Sequence, residues 1–125
     1  MTKKAIVWIR EDLRIENNPA LSYASQNHEI VSALYIYSDK YFDKKREAQK
    51  WWLSRSLNSF NKDLLKFNIT LEILSGDEIE ILSKIKKEDD ISVYWSKVYE
   101  PNTINRDKKI RDIFIKNEIT YKYFK

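Results

Sequence analysis

The sequence predicts an α/β fold: a doubly wound, five-stranded parallel sheet of Rossmann-like type, strand order 3-2-1-4-5, with helices on both faces. Three observations lead there. Apolar runs alternate regularly with helical patterns along the chain, and β-α repeats joined by long crossovers build parallel sheets. The first, second and fourth runs are nearly unbroken, as strands covered on both faces must be, whereas the third and fifth alternate with polar residues and belong at the edges. The order that satisfies this reverses direction between the first and fourth strands, and sheets of this kind bind ligands outside the strands' carboxyl ends at that reversal.

Ala5–Ile9 reads as the first strand. Asn18-Pro19 supplies a helix cap and a proline at the first helical position, opening a helix to about Gln26. Ile30–Tyr37 is the second strand. Leu53, Leu57, Phe60 and Leu64 then mark one face of a helix from about Glu47 to Lys66, and the adjacent Trp51-Trp52 pair is expected in the core rather than as a cofactor stack. Thr70–Leu74 is the third strand, in which Leu71 and Ile73 alternate with Thr70 and Glu72, and Ser75-Gly76-Asp77 turns the chain into a helix over Glu78–Lys86. Ile91–Trp95 is the fourth strand. A helix over about Thr103–Lys116 turns Ile110, Ile113 and Phe114 inward, and Ile119–Phe124, where Ile119, Tyr121 and Tyr123 alternate with Thr120 and Lys122, closes the sheet.

At 125 residues the chain makes one domain, 1–125, at roughly 100–200 residues per domain, and it is long enough to bury a core without staples. With no Cys, disulfides, thiolate nucleophiles, thiolate zinc sites and Cys-held iron–sulfur clusters are excluded. His28 is the only histidine and precedes the second strand, at the end of the sheet away from the expected site, so no metal site and no catalytic relay is expected. One glycine, Gly76, cannot assemble a G-x-G-x-x-G or a P-loop. The longest apolar stretch, Ile30–Tyr37, is eight residues against the roughly 20 of a membrane span, and Ala5–Ile9 is too short for a signal peptide, so a soluble, cytoplasmic protein is expected. The net charge of +4 (23 Lys+Arg, 19 Asp+Glu) reads as a solvated surface, as do Lys40–Arg46 and the helix bearing Arg106, Lys108, Lys109 and Arg111. The last strand runs straight into Lys125 with no cap beyond it, so the expectation is a domain cut from, or encoded apart from, something larger.

Two loops flank the strand reversal. Arg10-Glu11-Asp12-Leu13-Arg14 is either a solvated loop with local ion pairs or an anion or partner-domain contact, since Arg offers a planar fork to carboxylates and phosphates. Across from it, Ser96–Asn102 carries Tyr99 and Asn102, which can hydrogen-bond a heterocycle, while Trp95 and Tyr99 offer flat surfaces. Glu100 either accepts from a ring N–H or serves a structural role, capping the next helix or pairing with Arg10 or Arg14. No catalytic residues are assigned.

Three motifs carry a resemblance. Val7-Trp8-Ile9-Arg10-Glu11-Asp12-Leu13-Arg14 with Asn17-Asn18-Pro19-Ala20-Leu21 resembles the opening V-W-F-R-x-D-L-R-x-x-D-N-P-A-L of the DNA photolyase/cryptochrome family. Lys50-Trp51-Trp52-Leu53-Ser54-Arg55-Ser56-Leu57 resembles its R-W-W-L-x-x-S-L, and Tyr99-Glu100-Pro101 with Arg106-Asp107 resembles its Y-E-P-x-x-x-x-R-D. The resemblance covers the family's N-terminal α/β domain. It implies an antenna-chromophore domain of a deoxyribodipyrimidine photolyase-like protein, a light-driven DNA repair lyase, or alternatively of a cryptochrome-type blue-light photoreceptor. The implied chromophore residues are Trp8, Arg10, Tyr99, Glu100 and Asn102, and Arg10, Asp12 and Arg14 fall where members build the seam to a helical FAD-binding domain. That domain, absent from this chain, is the implied partner, as part of one longer chain or as a separate subunit. FAD and DNA would be bound only through it, so the isolated chain is expected to have no repair activity, and Arg10, Asp12 and Arg14 would be exposed. Two further readings outside that role are a stand-alone interaction module and a nucleotide-binding α/β domain.

Departures from the pattern bear on the chromophore. Glu11 stands where many members have a second Arg, Ile9 replaces Phe, Asn17 replaces Asp and Lys50 replaces Arg. Folate-using members resemble Y-E-x-N-E, and here Asn102 matches while Thr103 replaces the glutamate that grips the pterin. The resemblance thus favours a flavin or deazaflavin antenna, or none, over a folate.

Overall fold

The computed structural model describes residues 3–10, 18–37, 47–96 and 101–124. In chain order these are β1 (Lys4–Ile9), α1 (Pro19–Asn27), β2 (Ile30–Tyr37), α2 (Glu47–Leu65), β3 (Thr70–Ser75), α3 (Glu78–Ser83), a 3-10 turn (Lys87–Asp89), β4 (Ile91–Ser96), α4 (Pro101–Lys116) and β5 (Thr120–Phe124). All strand pairs are parallel and the order is β3-β2-β1-β4-β5, the one that the apolar patterning predicts. Register places Trp8 level with Leu34 and Trp95, and Trp95 level with Tyr123.

Strand side chains alternate between faces. Ala5, Val7 and Ile9 of β1 join Leu21 and Ala24 of α1 and Leu53, Leu57, Phe60 and Leu64 of α2 in one core layer. On the other face, Trp8, Leu34, Val93 and Trp95 pack with Leu82 of α3 and Ile110 and Phe114 of α4. The aromatic ladder here is continuous: Trp8 meets Trp95 edge-on at 5.7 Å between centroids, and Trp95 stacks on Tyr121 and Tyr123 at 5.7 and 6.0 Å.

Helix ends follow local chemistry. The Asn18 side chain accepts the Leu21 N–H at 3.2 Å with Pro19 at the first helical position. α4 begins at Pro101 rather than Thr103, for the same reason that a proline suits the start of a helix. α3 stops at Ser83, short of the predicted Lys86, because the Asp89 carboxylate takes the Lys86 N–H at 2.9 Å and starts a separate turn. Trp51 and Trp52 are not in the core but 61% and 64% exposed. At about 100° per residue they sit roughly 200° and 100° around the helix from Leu53, off the buried stripe. The basic segment Lys40–Arg46 lies outside the described residues.

Gly76, between β3 and α3, has φ +138, a backbone region reserved in practice for glycine. A Cβ there would also stand 3.3 Å from Ile81 Cδ1. Gly76→Ala is therefore expected to destabilise the domain by about 1–3 kcal/mol, read as a lower urea midpoint at unchanged slope; an unshifted midpoint would show that the turn relaxes without strain.

Candidate functional site

β1 and β4 are neighbours in the sheet, and the strand order reverses between them. At that point β1 delivers Arg10. Its guanidinium lies 4.3 Å from the centroid of the Trp8 ring and donates from Nη2 to Asp107 Oδ2 of α4 at 2.7 Å. The two side chains are only 12% and 9% exposed, so this is a buried ion pair resting on an indole face. Arg10 is thus not the exposed residue that its place near a domain seam implied. Burial of a guanidinium demands a partner, and Asp107, one turn and a half into α4, provides it.

A second pair braces the first. Arg106 Nη1 donates to Glu78 Oε1 at 2.8 Å, joining the first turn of α3 to α4 beside Arg10 and Asp107. Burial raises the Glu78 carboxyl above its usual value, opposed by the hydrogen bond and charge of Arg106 and by the charge of Arg10. The wall between α3, α4 and the end of β1 therefore holds two neighbouring ion pairs.

Trp8 is 1% exposed, so its ring reaches the cleft only through the guanidinium above it. Among the described residues, its Nε1 and Asp107 Oδ1 are buried without a hydrogen-bond partner. Of the other sequence-predicted site residues, Asn102 is placed by backbone in the first turn of α4, with its side chain outside the described residues. Tyr99, Glu100, Asp12 and Arg14 lie outside the described residues altogether. The structure thus brings Trp8 and Arg10 together and adds Asp107, Glu78 and Arg106, which the sequence reading left out of the site. The Arg-Asp pair at 106–107 was visible as a motif, but spacing alone does not say that its Asp turns inward to Arg10.

His28 lies at the far end of the sheet, where its Nε2 hydrogen-bonds the buried Tyr94 hydroxyl at 2.6 Å. Among the described residues no group of three or more His, Cys, Asp or Glu could hold a metal ion, and no helix is long and apolar enough to cross a membrane. What the site offers is recognition: a held cation, aromatic walls and buried polar atoms.

A family model described as DNA photolyase matches residues 5–125. The deoxyribodipyrimidine photo-lyase of Agrobacterium fabrum is 32% identical over 98% of this chain and 26% of its own length. Cryptochrome-2 of Arabidopsis thaliana is 28% identical over 96% of the chain and 20% of its length. Among solved structures, an archaeal photolyase from Sulfolobus tokodaii, which holds two FAD molecules and is described as implying a novel light-harvesting cofactor, superposes with a TM-score of 0.86 at 26% identity, over 98% of this chain and 29% of that one. The chain spans about a quarter of the length of these relatives.

Two outcomes test this geometry. Asp107→Ala leaves Arg10 buried without its carboxylate and should cost about 3–5 kcal/mol, most of it regained in Arg10→Met/Asp107→Leu; a full cycle of urea melts measures the coupling, and a double variant no better than the single would refute it. Glu78, whose folded pKa is raised, contributes stability that is present below its unfolded pKa and lost as pH rises through the folded value. Glu78→Gln should therefore gain stability relative to the parent chain between pH 4 and pH 7, and the opposite trend in paired melts would contradict the burial argument.

Proposed function

Since the chain belongs to the DNA photolyase family, of which it forms the N-terminal α/β domain, we propose that it binds an antenna chromophore at the carboxyl end of its sheet and docks on a helical FAD-binding domain. The whole protein would be a light-driven lyase that repairs pyrimidine dimers. Such a chromophore, when bound, absorbs light and passes the excitation onward. Everything else asked of this domain is binding and orientation, and the observation that carries the reading is the Arg10 guanidinium, held between the Trp8 ring and Asp107 at the strand reversal. A cation fixed this way needs no rearrangement to meet a ligand, which lowers the cost of binding.

The chemistry suits a flavin or deazaflavin. Thr103 stands where the folate-using pattern that the sequence resembles has a glutamate, which leaves a pterin without that grip. Tyr99, Glu100 and Asn102, on the segment that leads from β4 into α4, would hold the ring edge. Asp12 and Arg14, beyond the buried Arg10, would face the helical domain, within the cytoplasm. The 28% identity to a cryptochrome supports a second reading, a blue-light photoreceptor built on the same domain.

A titration of the purified chain with FMN, FAD, a deazaflavin and methenyltetrahydrofolate, followed by fluorescence and absorbance, tests the first reading. The expected result is saturable binding of a flavin or deazaflavin, weakened about tenfold, the worth of one good hydrogen bond, by Glu100→Ala or Asn102→Ala at unchanged melting temperature. Binding of the folate alone, or of nothing, would overturn it.

A further inference from the structure

The outer side of α2 is unlike a solvated helix surface. α4 turns Lys108, Lys109, Asp112 and Lys116 to water, as such a surface should. From Trp51 to Asn61, by contrast, Arg55 is the only charged residue, and Trp51, Trp52, Ser54, Asn58 and Ser59 are exposed. Large aromatics and an arginine among small hydroxyl and amide side chains, with other charges thinned out, make the composition of a protein–protein interface.

Helical geometry sorts these residues. At about 100° per residue, Trp52, Arg55, Ser59, Asp63 and Lys66 form one ridge, centred roughly 130° around the helix from the buried stripe of Leu53, Leu57, Phe60 and Leu64. All five are exposed. The ridge is its own complement about Ser59. Arg55 and Asp63 lie four residues to either side of it with opposite charges, and Trp52 and Lys66 lie seven residues to either side, an indole at one end and an ammonium at the other.

Two copies laid antiparallel, with a twofold axis at Ser59, bring Arg55 of each against Asp63 of the other and Trp52 of each against Lys66 of the other. Ser59 then meets Ser59 of the second copy, and side chains this small let the helices approach closely. A parallel pair would instead set Arg55 on Arg55 and Asp63 on Asp63. Asp63 has only a loose contact to give up, 3.7 Å to Lys66 within its own chain, with both side chains more than half exposed. Arg55 lies over the Trp51 ring at 4.8 Å, which restricts it before the copies meet. We propose that this ridge of α2 docks antiparallel on the same ridge of a second copy. None of its residues belongs to the chromophore or seam reading, so it stands or falls apart from them. One helix face on each side is a small interface, below roughly 1,200 Å² of buried surface, so the pair is weak and forms at high concentration.

Sedimentation equilibrium over about 10 µM to 1 mM, the range of a weak complex, should show the mean mass of the chain rising toward that of a dimer; a chain that stays monomeric throughout overturns the proposal. Arg55→Asp and Asp63→Arg, both at exposed positions, each set like charges against one another in a homodimer, and each alone should associate about tenfold more weakly than the parent. Mixed in equal amounts, the two variants form a pair in which every contact again joins opposite charges, and association should return to the parent's level. Only folded chains can regain it, so the mixture separates a lost interface from a lost fold. Either variant dimerising as well as the parent, or a mixture that associates no better than its components, would overturn the proposal and leave this face to a different partner.

Discussion

Burial of β1 on both faces is the constraint from which the rest of the structure follows. A strand pressed between two helical layers favours large apolar surface on both sides, so Ala5, Val7 and Ile9 serve one layer and the Trp8 ring the other. The strand must nevertheless deliver a charge where it ends. Arg10 is the first residue beyond that double cover, still largely buried, and a lone guanidinium there would carry a prohibitive desolvation cost. Asp107 and the Trp8 face resolve it together, the carboxylate by charge and the ring by its quadrupole. The same contact ties α4 to the end of β1, so the helix that follows β4 is positioned by the residue that also shapes the cleft.

Scarcity of glycine sets a second constraint. Helices commonly end on a left-handed residue, and here Asn68 and Glu118 take that conformation with φ of 60 and 57. Both ends nevertheless close in the same way: Ile69 N–H returns to Leu64 O at 3.1 Å and Ile119 N–H to Phe114 O at 2.8 Å, each isoleucine buried as the chain enters the next strand. Asn tolerates this backbone because its side chain can bond locally. At Glu118, Lys87 is the side-chain partner, its Nζ 2.7 Å from Glu118 Oε2, and that hydrogen bond, with the ammonium charge behind it, holds the carboxyl below its usual pKa. The pair is exposed and screened by salt, so the burial of Ile119 carries more of this corner than the ion pair does.

These constraints explain what could be read from residues alone. Strand order was legible because burial on two faces leaves a compositional mark, unbroken in Ile30–Tyr37 and alternating in Thr70–Leu74. The buried stripe of α2 was legible from its period, which also carried the information that Trp51 and Trp52 lie off it; weighing them as aromatics rather than by angle put them in the core. The Arg10–Asp107 pair was not legible, since 97 residues separate its members and only the docking of α4 brings them together. The same holds for Glu78 and Arg106, 28 positions apart, which meet only because α3 and α4 lie against each other.

The charge pattern of the cleft wall bears on what it can hold. Arg10 and Asp107 cancel, as do Arg106 and Glu78, so the wall is nearly neutral despite four charges. A neutral wall gives little long-range attraction to a polyphosphate, and a single glycine cannot assemble a glycine-rich loop around one. What remains is fixed geometry: planar donors, aromatic faces and isolated buried acceptors, each selective for shape and hydrogen-bond polarity rather than for net charge. A flat heterocycle with donors and acceptors on its edge satisfies such a wall. The fold uses one device twice, a guanidinium immobilised against an aromatic ring, Arg10 on Trp8 and Arg111 on Tyr123. Asp107 Oδ2 takes the first of these guanidinium groups at 2.7 Å, and the Tyr123 hydroxyl accepts from the second at 3.1 Å.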